Sequence, residues 1–302
     1  QRVAEAGINA NLCCGGVLFS DDFDPDTHSD CIAQRTLTDE WHNYNDGQTR
    51  IDASIHGEYT SNHKLWQWMA DFARDHDQGM HVHISETRKE HQDSIGRHGK
   101  TPIQTLNDYG VWDGRAIAAH CVWTTPEDWA IMVEKGVSAI HNPMSNLKLG
   151  SGIAPITAMK RAGVNVALGT DGVSSNNCTD LFGDLKIAAI LQNGANCDPL
   201  ALLPGEALAM ATANGGKALG RQTGRIQAGY DADLILVDFD AVNLTPCHDV
   251  ISNLVYAAHG SNVTMNMARG KVIYENGEFL TIDMDRVKRE VRDYALPLLF
   301  RK

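Results

Sequence analysis

An imidazole and a carboxyl stand three residues apart in His83-Ile84-Ser85-Glu86, after a short apolar run. Two more polar groups close strand-like segments downstream, in Ala119-His120-Cys121 and Gly169-Thr170-Asp171-Gly172. Neutral imidazoles and carboxylates are ligands for Zn²⁺ or Fe²⁺, with His83 and Asp171 the candidate ligands. A carboxyl one turn beyond a ligand, as Glu86 is beyond His83, reaches a bound water without ligating and can carry a proton. Together these groups point to metal-assisted hydrolysis. Each also has an ordinary use: a histidine bonded to a core carbonyl, a glutamate at a helix N-terminus, an aspartate in an Asx turn. Repetition of position favours the chemical reading. Cys13 and Cys14, His56, His83, His120, His141 and Asp171 all end apolar segments, where a purely structural barrel needs only turn formers. His120 suits polarising a leaving group or holding the hydroxide, and His56 suits contact with substrate. His81 reads as structural, and His141-Asn142-Pro143 as a loop former, because Pro143 biases Asn142 toward extended backbone.

The elements that must position these groups repeat one phrase, a turn, five to seven apolar residues and a helical pattern, which is a βα unit. Parallel strands are predicted over 8–12, 51–55, 80–84, 116–119, 137–140 and 164–168, with helices over 62–76, 126–134 and 156–162. Thr125-Pro126-Glu127-Asp128 supplies an N-cap, a first-turn proline and early acidic residues. The polar stretch over 20–49 reads as an active-site loop enclosing a helix. Helices over 180–192 and 204–219 follow. From Gly224 the pattern becomes short β segments over 225–227, 232–237, 263–267 and 271–274, with Gly270 and Asn276-Gly277 as turns, then a helix over 284–294. The expected fold is therefore α/β: a (β/α)8 TIM-type barrel over 1–221, a partial β-sandwich over 222–280 and a C-terminal helix over 281–302. Counting strands back from Asp171 places the start of the chain just before the third barrel strand.

At 302 residues the chain can bury a barrel core, and 38 acidic against 26 basic side chains give a formal charge of -12, leaving no basic stripe for nucleic acid. No apolar run reaches membrane-spanning length. Seven cysteines without C-x-x-C spacing fit a reducing, cytoplasmic setting. A small-molecule substrate is expected, and a homo-oligomer is compatible with this composition. No G-x-S-x-G elbow, G-x-G-x-x-G turn or P-loop occurs.

His83-x-x-Glu86, Ala119-His120-Cys121-Val122-Trp123, the phrase from His141-Asn142-Pro143 to Leu149, and Gly169-Thr170-Asp171-Gly172-x-x-Ser175-Asn176-Asn177 resemble the metal-dependent amidohydrolase superfamily. The tail phrase from Gly224 to Leu234 is similar to the one that opens its C-terminal β portion. The nearest branch by resemblance is the S-adenosylhomocysteine and 5'-methylthioadenosine deaminases, with chlorohydrolases and guanine deaminases nearby. That resemblance implies one Zn²⁺ or Fe²⁺ per subunit, His83 and Asp171 as ligands, Glu86 as proton shuttle, His120 steadying a metal-bound hydroxide and His56 beside the substrate. It implies hydrolytic deamination of a purine nucleoside or related heterocycle. The same resemblance admits chloride removal, cyclic-amide opening, or a silent binding protein. Two departures stand out. Family members carry an H-x-H pair on their first barrel strand, and no such pair suits this chain. Where the adenosylhomocysteine-type members place an arginine, this chain has Cys13-Cys14-Gly15, with Arg35 in the next loop as the candidate replacement.

Overall fold

The structure is a computed structural model that describes residues 1–300. Its apolar runs form parallel strands that neighbour one another in chain order. β1 (Ala10–Leu12) pairs with β2 (Thr49–Ile51). β3 (Ala53–Gly57), β4 (Met80–Ile84), β5 (Ala116–His120), β6 (Ser138–His141) and β7 (Asn165–Leu168) form a five-stranded parallel sheet in that order. A parallel bridge from Gly16 to Ile55 continues the sheet onto the segment after β1. Sequential parallel neighbours joined by helices are the connectivity of a barrel wall.

The strands form because their apolar residues are covered on both sides, as parallel sheets require. Val82, Ala118, Ala139 and Val166 are buried in one core with Leu65, Trp66 and Met69 of the helix His63–Asp75. Thr125 caps the helix Pro126–Lys135 as its sequence predicts: Asp128 N–H donates to Thr125 Oγ1 at 3.4 Å and Thr125 N–H to Asp128 Oδ2 at 2.9 Å. The stretch over 20–49 does enclose a helix, Ser29–Trp41.

Three predicted elements differ. The strand over 51–55 is interrupted at Asp52, whose buried carboxylate accepts from Gly79 N–H at 3.1 Å and Asn11 Nδ2 at 2.9 Å and pairs with Arg115. The helix over 204–219 breaks at Thr212 (φ -130°, ψ -95°) into Pro204–Ala211 and Ala213–Ala218. Gly224 crosses the break so closely that a Cβ there would lie 2.5 Å from the Thr212 carbonyl. No strand forms over 225–227: Ile226 is 93% exposed between two left-handed glycines, Gly224 and Gly229, and meets no partner strand.

The C-terminal β region is one antiparallel sheet, in the order β11, β10, β9, β8, made of β8 (Leu234–Val237), β9 (Val263–Ala268), β10 (Lys271–Glu275) and β11 (Glu278–Phe279). Arg269-Gly270 and Asn276-Gly277, all at positive φ, make its tight turns. A helix that the sequence reading lacks, Val250–Tyr256, lies within this region yet packs on the barrel helices, with Val255 fully buried in the main core. Thr281 Oγ1 donates to the Ala6 carbonyl at 2.8 Å and Asn9 Nδ2 to Asp233 Oδ2 at 2.8 Å, so residues near the start of the chain rest on this sheet. The final helix runs from Met284 to Leu299 through a π-helical turn at Val291–Ala295; Arg301 and Lys302, assigned to it from sequence, lie outside the described residues.

Candidate active site

The carboxyl ends of the strands deliver the polar groups to one mouth. His56 and His83 are the penultimate residues of β3 and β4, His120 and His141 are the last of β5 and β6, and Asp171 lies three residues past β7. Ser85, His120, Cys121 and Asp171 hold positive φ of 47°, 72°, 51° and 59°. Left-handed backbone at a non-glycine residue costs roughly 1–3 kcal/mol and gathers where function fixes a side chain's direction. Here it occurs where the chain leaves β4, β5 and β7.

Ligand atoms of His83, His120 and Asp171 all lie within 4.8 Å of one another. His83 Nδ1 is 2.7 Å from the His56 carbonyl, which can only accept, so Nδ1 carries the proton and Nε2 keeps its lone pair. His120 Nδ1 faces Asn146 Oδ1 at 2.8 Å, which leaves its Nε2 in the same state. Ser145 Oγ donates to Asp171 Oδ2 at 2.6 Å and fixes that carboxylate. Two imidazole lone pairs and a carboxylate thus converge, each oriented by a hydrogen bond behind it, as metal ligands are. This donor set fits a divalent cation. His120, expected from sequence to steady a metal-bound hydroxide, stands in the same group as the two expected ligands.

Electrostatics agrees. Burial works to raise the Asp171 carboxyl, but the Ser145 hydroxyl, the Gly172 N–H and the facing His120 and His83 outweigh it and hold the pKa below the usual carboxylate value. Burial lowers the His120 pKa, against Glu86 and Asn146, which keeps the imidazole neutral and able to ligate. Burial and His83 lower His56 likewise.

Glu86 stands beside the triad. Its Oε2 is 3.7 Å from His120 Nε2, and its Oε1 accepts from Ser151 Oγ at 2.9 Å. The turn that carries it is held from below by Glu90, whose buried carboxylate accepts from the backbone N–H groups of Ser85 at 2.7 Å and Glu86 at 2.8 Å. His56 borders the group, its ring 5.1 Å from that of His83, with Nδ1 3.0 Å from Thr60 Oγ1. His81 points deeper, and burial pushes it down to about 4. His141 is fully buried beneath the mouth. Arg35 is engaged elsewhere, donating to the Pro25 carbonyl and Asp26 and lying over Trp68. Cys14 donates to Gln34 Oε1 at 3.4 Å, and burial pushes its thiol up to about 11. Among the described residues no cysteine joins the His83, His120 and Asp171 cluster.

A model of the amidohydrolase family matches residues 5–273. The chain belongs to the amidohydrolase family. Within it, the chain is 41% identical over 269 residues to the 5-methylthioadenosine/S-adenosylhomocysteine deaminase of Thermoanaerobacter pseudethanolicus, covering 88% of this chain and 62% of that protein. It is 40% identical over 302 residues to the 5'-deoxyadenosine deaminase of Methanosarcina mazei, covering 100% of this chain and 69% of the relative. The fold superposes on the crystal structure of an adenosine deaminase from Xanthomonas campestris with bound zinc at a TM-score of 0.90 and 32% identity, covering 98% of this chain and 67% of that one. The chain therefore spans about two thirds of the length of these amidohydrolases. The sequence reading had left Ser145, Asn146, Ser151 and Glu90 without roles; the first two stand in the phrase after His141 that carried the resemblance, which was the available signal.

Proposed function

We propose that this protein is a metal-dependent aminohydrolase that converts the exocyclic amine of an adenosine-like nucleoside to a carbonyl and releases ammonia. The observation that carries the reading is the convergence of His83, His120 and Asp171 with the Glu86 carboxylate placed against His120. The names of the relatives, adenosine-type deaminases, support it.

His83 and Asp171 are the residues that would hold one Zn²⁺ or Fe²⁺, and the cation would supply Lewis-acid activation of water when bound. The protein's own groups do the proton work. Glu86 Oε2 takes one proton from the attacking water and delivers it to the ring nitrogen, then carries the second, from the hydroxyl so formed, to the departing amine. A C–O bond forms, the C–N bond breaks, and the water's hydrogens are shared between product and ammonia. His120 faces Glu86 Oε2 and holds the attacking oxygen in line, while His56 lies where it can touch the nucleoside. The proposed substrates are neutral 5'-modified adenosines ahead of adenosylhomocysteine, because Cys13-Cys14-Gly15 occupies the third-strand position and Arg35 is bound to Pro25 and Asp26. The cysteines are all free, which supports work in a reducing cytoplasm. No helix of the described residues is long and apolar enough to cross a membrane.

The test is ammonia release by the zinc-loaded protein from 5'-methylthioadenosine, 5'-deoxyadenosine and S-adenosylhomocysteine. Release from at least one is expected; none, with metal fully bound, overturns the proposal. Glu86→Gln should keep its metal while turnover falls by about 10²–10⁴-fold, the usual worth of a positioned acid/base.

A further inference from the structure

Glu86 is held by a residue from outside the strand ends. Ser151 follows the short helix Pro143–Lys148 and is 4% exposed. Each of its polar groups is spoken for. Its hydroxyl donates to Glu86 Oε1 at 2.9 Å, its N–H donates to the Asn146 carbonyl at 2.8 Å, and its carbonyl accepts from Trp123 Nε1 at 2.9 Å. Asn146 is the residue whose side chain fixes the His120 ring. One serine therefore ties the carboxylate to the short helix whose Asn146 orients the facing imidazole. Its neighbour Gly152, at φ 125°, lies so close to the turn after β5 that a Cβ would stand 3.0 Å from Val122 and 3.4 Å from the Trp123 ring. The backbone of Ser151 is thereby pressed onto Trp123 and has little room to move.

Resting on the aminohydrolase reading above, we propose that Ser151 is the positioning residue for Glu86 and determines which carboxylate oxygen handles the proton. A serine hydroxyl has one hydrogen to donate, and here it is spent on Oε1. A proton on Oε2 leaves Oε1 as a carbonyl that still accepts that hydrogen, whereas a proton on Oε1 requires the hydroxyl to rotate, accept it, and give up the bond its own hydrogen makes. The Ser151 bond thus survives unaltered when the proton sits on Oε2, which biases proton transfer toward that oxygen, the one that faces His120. Without it the carboxylate can swing about its terminal torsion, and the proton is delivered from a spread of directions.

The experiment compares Ser151→Ala, Ser151→Thr and Glu86→Gln/Ser151→Ala in the zinc-loaded protein with 5'-methylthioadenosine. Ser151→Ala should lower kcat by about 10- to 100-fold, the range for losing a hydrogen bond to a charged group, with KM changed by less than about threefold. Its zinc content and melting temperature should stay those of the parent. Ser151→Thr keeps the hydroxyl and should restore most of kcat, and adding Ser151→Ala to Glu86→Gln should cost little more. Undiminished kcat in Ser151→Ala, or an equal loss in the Glu86→Gln background, overturns the proposal. A second readout needs no turnover: the ¹³C signal of the Glu86 carboxyl, assigned by its loss in Glu86→Gln, should move in Ser151→Ala and not in Ser151→Thr. A signal that stays put overturns the positioning role whatever the activity. A signal that moves in a protein that releases no ammonia overturns the deaminase reading alone.

Discussion

His141 ends β6 directly under the mouth, and neither of its ring nitrogens has a partner among the described residues. Burial, with a smaller push from His120, lowers its pKa to about 3. An unfolded histidine takes a proton near 6.5, so below that pH the unfolded chain binds a proton that folded His141 refuses. This contribution to stability is complete above about pH 6.5 and is lost as pH falls toward 3. The ring C–H signals of His141 should therefore stay in their neutral positions down to pH 5 in NMR, and the urea midpoint should drop between pH 7 and pH 5; a ring titrating near 6.5 contradicts this. At this scale the sequence was informative where position carried meaning. Five strand ends bearing His or Asp identified His83, Glu86, His120 and Asp171 as one group. The residues that orient them were not legible, because Ser145 reaches Asp171 across 26 positions and Ser151 reaches Glu86 across 65, and no local pattern encodes such bonds.

Gly169, directly after β7, shows how tightly the strand ends are packed. A Cβ there would lie 2.5 Å from Asn142 Oδ1 and 2.8 Å from Ile140 Cγ2. Asn142 is itself buried against His120, so it cannot retreat freely. Gly169→Ala should destabilise the protein by about 1–3 kcal/mol through overpacking, read as a lower melting temperature. Thr125→Ala, which removes the cap from Pro126–Lys135, should cost about 1 kcal/mol without changing zinc content. The cap was legible because capping is a four-residue code. The strands were legible because a parallel strand is a short apolar run between turns. The break at Thr212 was not, since it arises from Gly224 crossing the helix, and the helix Val250–Tyr256 was hidden because it sits within a β region and packs on helices distant in sequence.

On the scale of the molecule, the end of the sheet opposite the mouth is held by one guanidinium. Arg115, just before β5, pairs with the buried Asp52 between β2 and β3, and Asp52 also accepts from the N–H of Gly79 just before β4. Arg221 extends the tie, donating to Asn11 and to the carbonyls of Ala10, Gly47 and Gln48. Arg115→Ala would leave the buried Asp52 carboxylate without its counter-charge and should cost about 3–5 kcal/mol in urea unfolding, with the candidate metal ligands untouched. A loss below 1 kcal/mol would show that water replaces the guanidinium. The mouth obeys a different rule. Ser85, His120, Cys121 and Asp171 sit at left-handed backbone, where a β-branched side chain is sterically refused and Asn, Asp, His or Gly is tolerated. A saturation library at these four positions should therefore be filtered twice, by chemistry and by backbone. Valine, isoleucine and threonine should disappear from it even among clones selected only for soluble expression, which narrows the routes by which this rim could acquire a new reaction.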